Sequence, residues 1–405
     1  MADVMKIEAS ALKAALQAVR PAVEAKGANP LAAYVHIQID GERVTVTANR
    51  NTIAMEVVIK APQDNGRCAI LAPHDRLSQI VGLYDGQTLT MTYKGGTKHA
   101  LTLRAARASH VLTCADPGDW PALDWSAAVP GGEAPSPIIL SAASWAHLWP
   151  AAAYASTDEN RYGLNGVSLE RVGDGETLRA AATDGSRLCW RGARAEPTIP
   201  LAGASLPRHS LVPREIAALL GKAAGASGAE DLYALTVGQR VAVWAQVDAD
   251  GVEVGAARMR FALVEGEFPD YRMVLPESIK RTCTIKVADL SAALRSVAVS
   301  ATDRNASVRF AFEEGRILLS AQDNGARGGE AKAETPCEFD GVPLQTGFNA
   351  AYVAAVLAGA AGPSVTLHLS DALGPALWLG ELWRPQAGRL ADVADLVVVM
   401  PMRLD

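Results

Sequence analysis

The chain repeats itself three times, and no other feature of the sequence constrains its fold as strongly. Each copy has a short apolar run, a polar residue, and an Ala-rich stretch whose apolar residues recur three and four positions apart. The copies are residues 7–16, 140–149 and 285–294. This pattern predicts a short strand that leads into an amphipathic helix. The predicted polar N-cap residues are Ser10, Ser141 or Ser144, and Asp289.

A second repeated pattern follows half a domain later. It again predicts a strand that runs into a helix, and its copies are residues 70–81, 211–220 and 348–357. Alternating strands follow these copies, for example Thr88–Tyr93 and Val241–Ala245. A third pattern closes the first two copies, and it lies at Gly118–Leu123 and Gly266–Tyr271.

Together these repeats predict an α+β chain of three similar domains, each made of two strand–helix–strands units. The predicted domains are residues 1–130, 138–268 and 269–405, and the Pro- and Gly-rich stretch Pro130–Pro137 is the predicted linker. The repeated unit is longer than the roughly 20–50 residues of a solenoid repeat. We therefore expect a segmented ring or arc, a type of assembly that closes by symmetry.

The charge balance excludes one mode of nucleic-acid binding. The chain has 38 Lys and Arg against 44 Asp and Glu, which gives a formal net charge of −6. A protein that holds DNA by bulk basicity is excluded, whereas one with a local basic surface is not. No apolar run approaches the roughly 18 residues of a membrane span, and the first residues lack a signal-peptide pattern. The five cysteines are widely spaced, with no CxxC pair. We therefore expect a reduced, cytoplasmic protein with no membrane contact.

The sequence contains no pattern that predicts catalysis. It has neither a GxxxxGK[ST] loop nor a GxGxxG that follows a strand, so nucleotide binding is unsupported. The seven histidines are scattered and form no HxxxH or HExxH pattern, so a zinc site is not expected. We therefore expect a non-enzyme with no cofactor and no metal.

Five motifs, taken together and in this order, are similar to one known family. They are Arg161–Gly166 (RYGLNG), Ala182–Leu188 (ATDGSRL), Glu267–Arg272 (EFPDYR), Phe348–Tyr352 (FNAAY) and Val398–Leu404 (VVMPMRL). The chain resembles the bacterial DNA polymerase III beta subunits, the replicative sliding clamps, over its whole length. The closing Met-Pro-Met-Arg-Leu is the most specific single match.

The resemblance implies a head-to-tail homodimer whose six domains form a ring around duplex DNA, with helices lining the hole. It implies sequence-independent binding of double-stranded DNA, and as protein partners the DNA polymerase III alpha subunit, the clamp loader and other proteins with a clamp-binding motif. A closed ring stays on DNA by topology, so an acidic chain is compatible with this role. The candidate DNA-contacting residues are Lys26, Arg76, Arg161, Tyr162 and Arg214.

The resemblance also implies a groove between the second and third domains that binds a short hydrophobic peptide. Leu, Val and Met side chains would give an adaptable apolar wall. Gly185 would permit a tight turn, and Pro401 would stiffen the tail beside it. The implied groove residues are Leu164, Thr183, Gly185, Ser186, Arg187, Leu188, Pro269, Met273, Val274, Tyr352, Leu373, Val399, Met400, Pro401, Met402 and Arg403.

The chain departs from the family pattern near this groove. The family usually has His where this chain has Ser186, and it often has Arg where this chain has Met273. Asp405 extends past the usual Leu end, and the segment 378–396 is longer than the family pattern. We expect these changes to alter peptide preference more than ring formation. Two other hypotheses remain open from the sequence: a three-domain interaction scaffold that does not encircle DNA, and an enzyme with an unrecognised site.

Overall fold

The computed structural model contains two compact units that are not continuous in sequence. Its described residues are 3–127, 135–158, 160–161, 163–173, 175–195, 201–204, 206–207, 210–301, 306–323, 328–379 and 394–404. Unit 1 consists of Met1–Ser141, Gly203–Pro207 and Glu230–Leu263. Unit 2 consists of Ala142–Ala202, Arg208–Ala229 and Val264–Asp405.

Groups of consecutive strands separate the helices along the chain. The helices are α1 (Ala9–Val19), α2 (His74–Gly82), α3 (Ala142–Leu148), α4 (Arg214–Gly225), α5 (Val287–Ala298) and α6 (Ala350–Ala358). The strands are β1 (Asp3–Glu8), β2 (Tyr34–Asp40), β3 (Arg43–Asn49), β4 (Ile53–Lys60), β5 (Arg67–Pro73), β6 (Thr88–Lys94), β7 (Ala100–Ala105), β8 (Ala108–Thr113), β9 (Ile138–Ser141), β10 (Gly166–Val172), β11 (Thr177–Thr183), β12 (Arg187–Arg194), β13 (Ser210–Pro213), β14 (Leu232–Val237), β15 (Val241–Val247), β16 (Glu253–Ala262), β17 (Arg281–Lys286), β18 (Ser307–Glu313), β19 (Arg316–Asp323), β20 (Gly329–Pro336), β21 (Glu338–Asp340), β22 (Leu344–Asn349), β23 (Ser364–Leu369), β24 (Ala376–Leu379) and β25 (Leu396–Val399).

The predicted strand-to-helix pattern is confirmed at all six places. In each copy the strand runs into its helix without a loop: β1 into α1, β5 into α2, β9 into α3, β13 into α4, β17 into α5 and β22 into α6. The buried residues of these helices recur at the predicted spacing, as Leu12, Leu16 and Val19 do in α1.

Two of the predicted N-caps are wrong. Ser10 and Asp289 lie inside the first turns of α1 and α5, whose N-cap residues Glu8 and Lys286 make no side-chain cap. Carbonyls in helix-to-strand loops satisfy the first helical N–H group of each helix instead. The N–H of Ala9 donates to the carbonyl of Gln87 at 2.9 Å, and α5 begins with an equivalent bond to Pro363 at 2.8 Å.

Unit 1 contains two antiparallel sheets. The larger has the order β5-β2-β3-β4-β16-β15-β14-β9, and the smaller has the order β1-β6-β7-β8. The larger sheet joins strands of the first and second predicted domains, because β4 pairs with β16 with Met55 opposite Met259. Strand β8 is at one edge of the smaller sheet.

Unit 2 has the same construction. Its nine-stranded sheet has the order β13-β10-β11-β12-β25-β24-β23-β17-β21, and its four-stranded sheet has the order β20-β19-β18-β22. Pairing of β12 with β25 joins strands of the second and third predicted domains, with Leu188 opposite Val398. Strand β20 is at an edge of the smaller sheet, and α5 packs against it.

Candidate functional site

The C-terminal tail lies in unit 2 and is held by the main chain on both sides. The N–H of Met400 donates to the carbonyl of Ser186 at 2.9 Å, and the N–H of Met402 donates to the carbonyl of Gly347 at 2.8 Å. A Cβ at Gly347 would stand 3.0 Å from the carbonyl oxygen of Met402, so glycine allows the main chain of the tail to approach this closely. Pro401 is thereby fixed between two anchored methionines.

A tight turn before β12 lies against one side of the tail. Asp184 Oδ1 accepts hydrogen bonds from the N–H groups of Ser186 at 2.9 Å and Arg187 at 3.1 Å. Thr183 Oγ1 donates to the carbonyl of Arg187 at 2.7 Å. Gly185 has a φ of +90°, in the left-handed region that the tight turn predicted for it requires. The turn is therefore organised by Asp184, a residue of the ATDGSRL motif that sequence reasoning did not select.

Arg187 is fixed between two aromatic rings. Its guanidinium carbon lies 4.5 Å from the ring centroid of Tyr352 and 5.0 Å from that of Tyr154. Its Nε donates to Asp184 Oδ2 at 2.8 Å, and its Nη2 donates to the carbonyl of Ala153 at 3.0 Å. Cation–π contacts of this kind strengthen when the cation is partly removed from water. The structure therefore brings together Arg187 and Tyr352, two of the predicted groove residues, and places Tyr154 against the same guanidinium.

The apolar residues of the implied groove fall into two environments. Leu188 is buried in an apolar cluster with Phe268 and Tyr271, and Met400 packs against that cluster. Val399 is buried in a neighbouring cluster, which Tyr352 borders. Partly buried groove residues beside these are Leu164, Pro401 and Met402.

Five other groove candidates lie at the surface: Pro269, Met273, Val274, Leu373 and Arg403. Met273 is 84% exposed, which is unusual for a large apolar side chain. None of the hydrogen bonds, ion pairs or ring contacts found among the described residues joins the first four of these to Arg187 or to the tail, of which Arg403 is a part.

The candidate DNA-contacting residues differ in their surroundings. Lys26 and Arg76, in unit 1, are exposed. In unit 2, Arg161 Nη1 donates to the carbonyl of Asp184 at 2.6 Å, and Arg214 Nε donates to the carbonyl of Ala152 at 3.2 Å. Arg161 thus supports the turn beside the tail. Tyr162 lies outside the described residues, as do Asp405 and residues 380–393 of the divergent segment.

The described end of the divergent segment is anchored by Asp395. Its Oδ1 lies 3.0 Å from His147 Nε2 and accepts from the N–H of Gly192 at 3.1 Å, while its Oδ2 lies 3.8 Å from Arg191 Nη1. A Cβ at Gly192 would be 3.0 Å from the carbonyl oxygen of Ala394, so glycine permits this approach. Because β25 begins at the next residue, these contacts set the start of the strand that leads to the tail.

Replacing Asp395 with Asn should make the free energy of unfolding depend less on pH in the acid range. Burial raises the pKa of this carboxyl, but the hydrogen bond and charge of His147, the N–H of Gly192 and the charge of Arg191 lower it overall. A lowered folded-state pKa contributes stability above the unfolded value of about 3.9, and this contribution is lost as the pH falls through the folded value.

We expect Asp395→Asn to lower the free energy of unfolding at pH 7 by about 1 kcal/mol, because the site is half-exposed. Urea unfolding at pH 7 and at pH 3 measures both values. The two proteins should differ less at pH 3, and an equal difference at both pH values would contradict the assignment. Asp248→Asn, in an exposed turn of unit 1, is the control.

No helix in the described part of the chain combines the length and apolar character needed to cross a membrane. Within the same residues, no group of three or more His, Cys, Asp or Glu side chains is arranged to hold a metal ion.

Comparison with known proteins gives consistent matches along the chain. Residues 4–124 match the family model of the DNA polymerase III beta subunit N-terminal domain, and residues 272–381 match that of its C-terminal domain. The beta sliding clamp of Caulobacter vibrioides is 30% identical over 99% of this chain and 100% of its own length. That of Escherichia coli K12 is 26% identical over 89% of each chain.

Solved structures agree. A crystal structure of the Caulobacter crescentus beta sliding clamp superposes with a TM-score of 0.86 at 27% identity, covering 100% of this chain and 99% of the other. A second Caulobacter crescentus structure gives a TM-score of 0.82 at 28% identity. The repeated strand-to-helix units, the anchored Met-Pro-Met tail and these matches over the full length show that the chain belongs to the family of bacterial DNA polymerase III beta subunits, the beta sliding clamps.

Proposed function

We propose that this chain forms a head-to-tail homodimeric ring around duplex DNA in the cytoplasm. There it tethers DNA polymerase III, through its alpha subunit, and other replication and repair proteins that carry a clamp-binding motif. Its family consists of non-catalytic processivity subunits, so this role needs neither a reaction centre nor a cofactor. Three domains, 1–130, 138–268 and 269–405, would each contribute one segment of half a ring.

The observation that carries this proposal is the presence of two unlike sheet edges. Strand β8 ends the small sheet of unit 1, and strand β20 ends the small sheet of unit 2. An open edge presents unpaired main-chain donors and acceptors, and pairing with another chain satisfies them. Two unlike edges on one chain pair heterologously, and a ring of two copies closes when each β8 meets the partner's β20.

Exposed apolar side chains lie close to both edges. Val111 on β8 is 69% exposed, and Leu83 is exposed at the end of α2, next to Tyr84, whose hydroxyl bonds to His110 of β8 at 2.7 Å. Val299, directly after α5, is 80% exposed. Apolar residues beside an open strand edge favour association rather than a solvated edge.

The DNA role of the ring needs only weak contacts. We assign Lys26, Arg76, Arg161, Tyr162 and Arg214 to phosphate contacts. Arg161 and Arg214 would bind more weakly, because each already bonds to a main-chain carbonyl. Contacts with phosphates alone read no sequence, which suits a protein that slides.

The groove of the proposed function would bind a partner peptide beside the anchored tail. Met400 and Met402 would form the accessible apolar wall over the buried Leu188 and Val399, with Arg187 as the fixed polar group. The Caulobacter crescentus structure was crystallised with polyethylene glycol bound to a region described as tethering the beta motif. A flexible chain bound there is consistent with a groove for an extended peptide.

Retention on circular DNA tests the proposal. With a compatible clamp loader and ATP, the protein should remain on nicked circular DNA through gel filtration and should leave when the DNA is linearised. Retention lost on linearisation distinguishes topological linkage from phosphate affinity, which persists on linear DNA and falls with salt. A protein that binds the polymerase peptide but is never retained on the circle would be an interaction scaffold and not a ring.

A further inference from the structure

The segment 267–275 carries three groove candidates but belongs to no strand. It lies between β16 and β17 and contains a single 3-10 turn, Tyr271–Val274. Within this segment the described backbone hydrogen bonds are local, such as the N–H of Met273 to the carbonyl of Asp270 at 3.2 Å. Side chains must therefore set the position of Pro269, Met273 and Val274.

One carboxylate holds two consecutive residues of this segment. Glu170, in the middle of β10, accepts a hydrogen bond from the Tyr271 hydroxyl on Oε1 and one from Arg272 Nη2 on Oε2, the latter at 2.8 Å. Burial raises the pKa of Tyr271 to about 12, so the phenol keeps the proton that it donates. Arg272 Nη1 also lies 3.7 Å from Asp270 Oδ1.

A buried arginine completes this arrangement. Arg179 on β11 is directly opposite Glu170 in the sheet register and is 2% exposed. Its Nη1 donates to the Tyr271 hydroxyl at 3.2 Å and lies 3.8 Å from Glu170 Oε1, and its guanidinium lies over the ring of Trp190 at 4.8 Å. A buried cation with an adjacent carboxylate resists rearrangement, because separating them leaves a charge uncompensated.

Aromatic packing adds to the same attachment. The Tyr271 ring lies 5.3 Å from that of Trp190 and 6.0 Å from that of Phe268. At the entry to the segment, a Cβ on Gly163 would stand 2.3 Å from the carbonyl oxygen of Glu267, so the backbones touch there. The EFPDYR motif is thus attached to β10–β12 by its Phe268, Tyr271 and Arg272 side chains.

We propose that Glu170, with Arg179, is a positioning residue for the peptide groove: it fixes the turn Tyr271–Val274 and so directs Met273 and Val274 toward the bound peptide. The proposal rests on the proposed function, because it assigns these two side chains to peptide contact. Neither Glu170 nor Arg179 touches the peptide. Glu170 acts through Tyr271 and Arg272, and Arg179 acts through Tyr271.

The test measures peptide affinity by fluorescence anisotropy with a fluorescein-labelled peptide that carries the clamp-binding motif of a DNA polymerase III alpha subunit. Glu170→Ala should weaken binding about fivefold or more, and Glu170→Gln by less, because glutamine keeps an acceptor for the Tyr271 hydroxyl. Glu313→Ala on β18, which removes an exposed ion pair with Arg316 of β19, should have no effect.

A double-mutant cycle separates positioning from general destabilisation. Met273→Ala should weaken binding in the wild-type protein but not further in the Glu170→Ala background, whereas Met402→Ala should have the same effect in both. Factors for Glu170→Ala and Met273→Ala that simply multiply would overturn the proposal.

Hydrogen exchange tests the same proposal without peptide. The amides of 271–275 should exchange faster in both Glu170 variants while those of β10 and β11 keep their protection. Unchanged exchange in this segment would also overturn the positioning role. If the wild-type protein bound no peptide, the proposed function would fail, and exchange alone would decide whether Glu170 fixes the turn.

Discussion

Replacing Val111 and Val299 with aspartate should leave a folded chain of 42.5 kDa that no longer dimerises. Both valines are exposed beside the unlike strand edges, so the substitutions should not disturb the single chain. In an assembled ring each aspartate would lose water without gaining a partner, which costs several kcal/mol. Sedimentation equilibrium measures the change in mass, and retention on nicked circular DNA should disappear with the dimer.

The matched control is Val254→Asp. Val254 is also an exposed strand valine, but its strand β16 has a neighbour on each side, β4 and β15. This variant should keep the dimer and its retention on the circle. If the double aspartate variant still sedimented at about twice the chain mass at micromolar concentration, the two edges would not be the subunit interface.

Truncating both tail methionines, Met400→Ala with Met402→Ala, should weaken binding of the polymerase peptide by about 1–2 kcal/mol, or roughly five- to thirtyfold. The main-chain bonds to Ser186 and Gly347 do not depend on these side chains, so the tail should stay in place. The loss would then report the apolar wall itself. Fluorescence anisotropy with the labelled peptide measures it.

Met55→Ala is the control for this truncation, because Met55 is a half-buried methionine on β4 of unit 1. It should leave peptide affinity unchanged. The truncated protein should still be retained on circular DNA, since the ring edges are intact. Equal peptide affinity for wild-type and truncated proteins would remove the tail from the groove but would leave the ring proposal standing.

The repeats predicted the architecture well because a buried helix face or strand face places apolar residues at the period of that element. Apolar residues three and four apart predicted α1 and α5, and alternation predicted strands such as β6, which extends one residue beyond Thr88–Tyr93. The N-caps predicted at Ser10 and Asp289 are wrong, because no local pattern shows which groups satisfy these helix starts. The groups that satisfy these helix starts, the carbonyls of Gln87 and Pro363, lie more than seventy residues further along the chain.

Sequence reasoning likewise predicted only the locally determined part of the candidate site. The tight turn at Gly185 follows from local chemistry, and it was predicted from the residue type. The partners of Arg187 and the attachment of Tyr271 could not be, because they depend on distant segments. Glu170 and Tyr271 are separated by 101 residues, and a lone glutamate within a strand carries no signal of its role. The assignment of individual residues to DNA or to peptide stays a prediction.

Strands pair continuously where one predicted domain gives way to the next. Between β4 and β16, five residue pairs from Ile53 opposite Phe261 to Val57 opposite Ala257 connect the first and second domains, and Glu56 bonds to Arg258 across the same junction at 2.9 Å. Cutting the chain at the linker would therefore strip both fragments of a strand partner and favour aggregation. Because the paired strands resist bending, such a junction does not act as a hinge. In the proposed ring, we therefore expect opening to occur where separate chains meet.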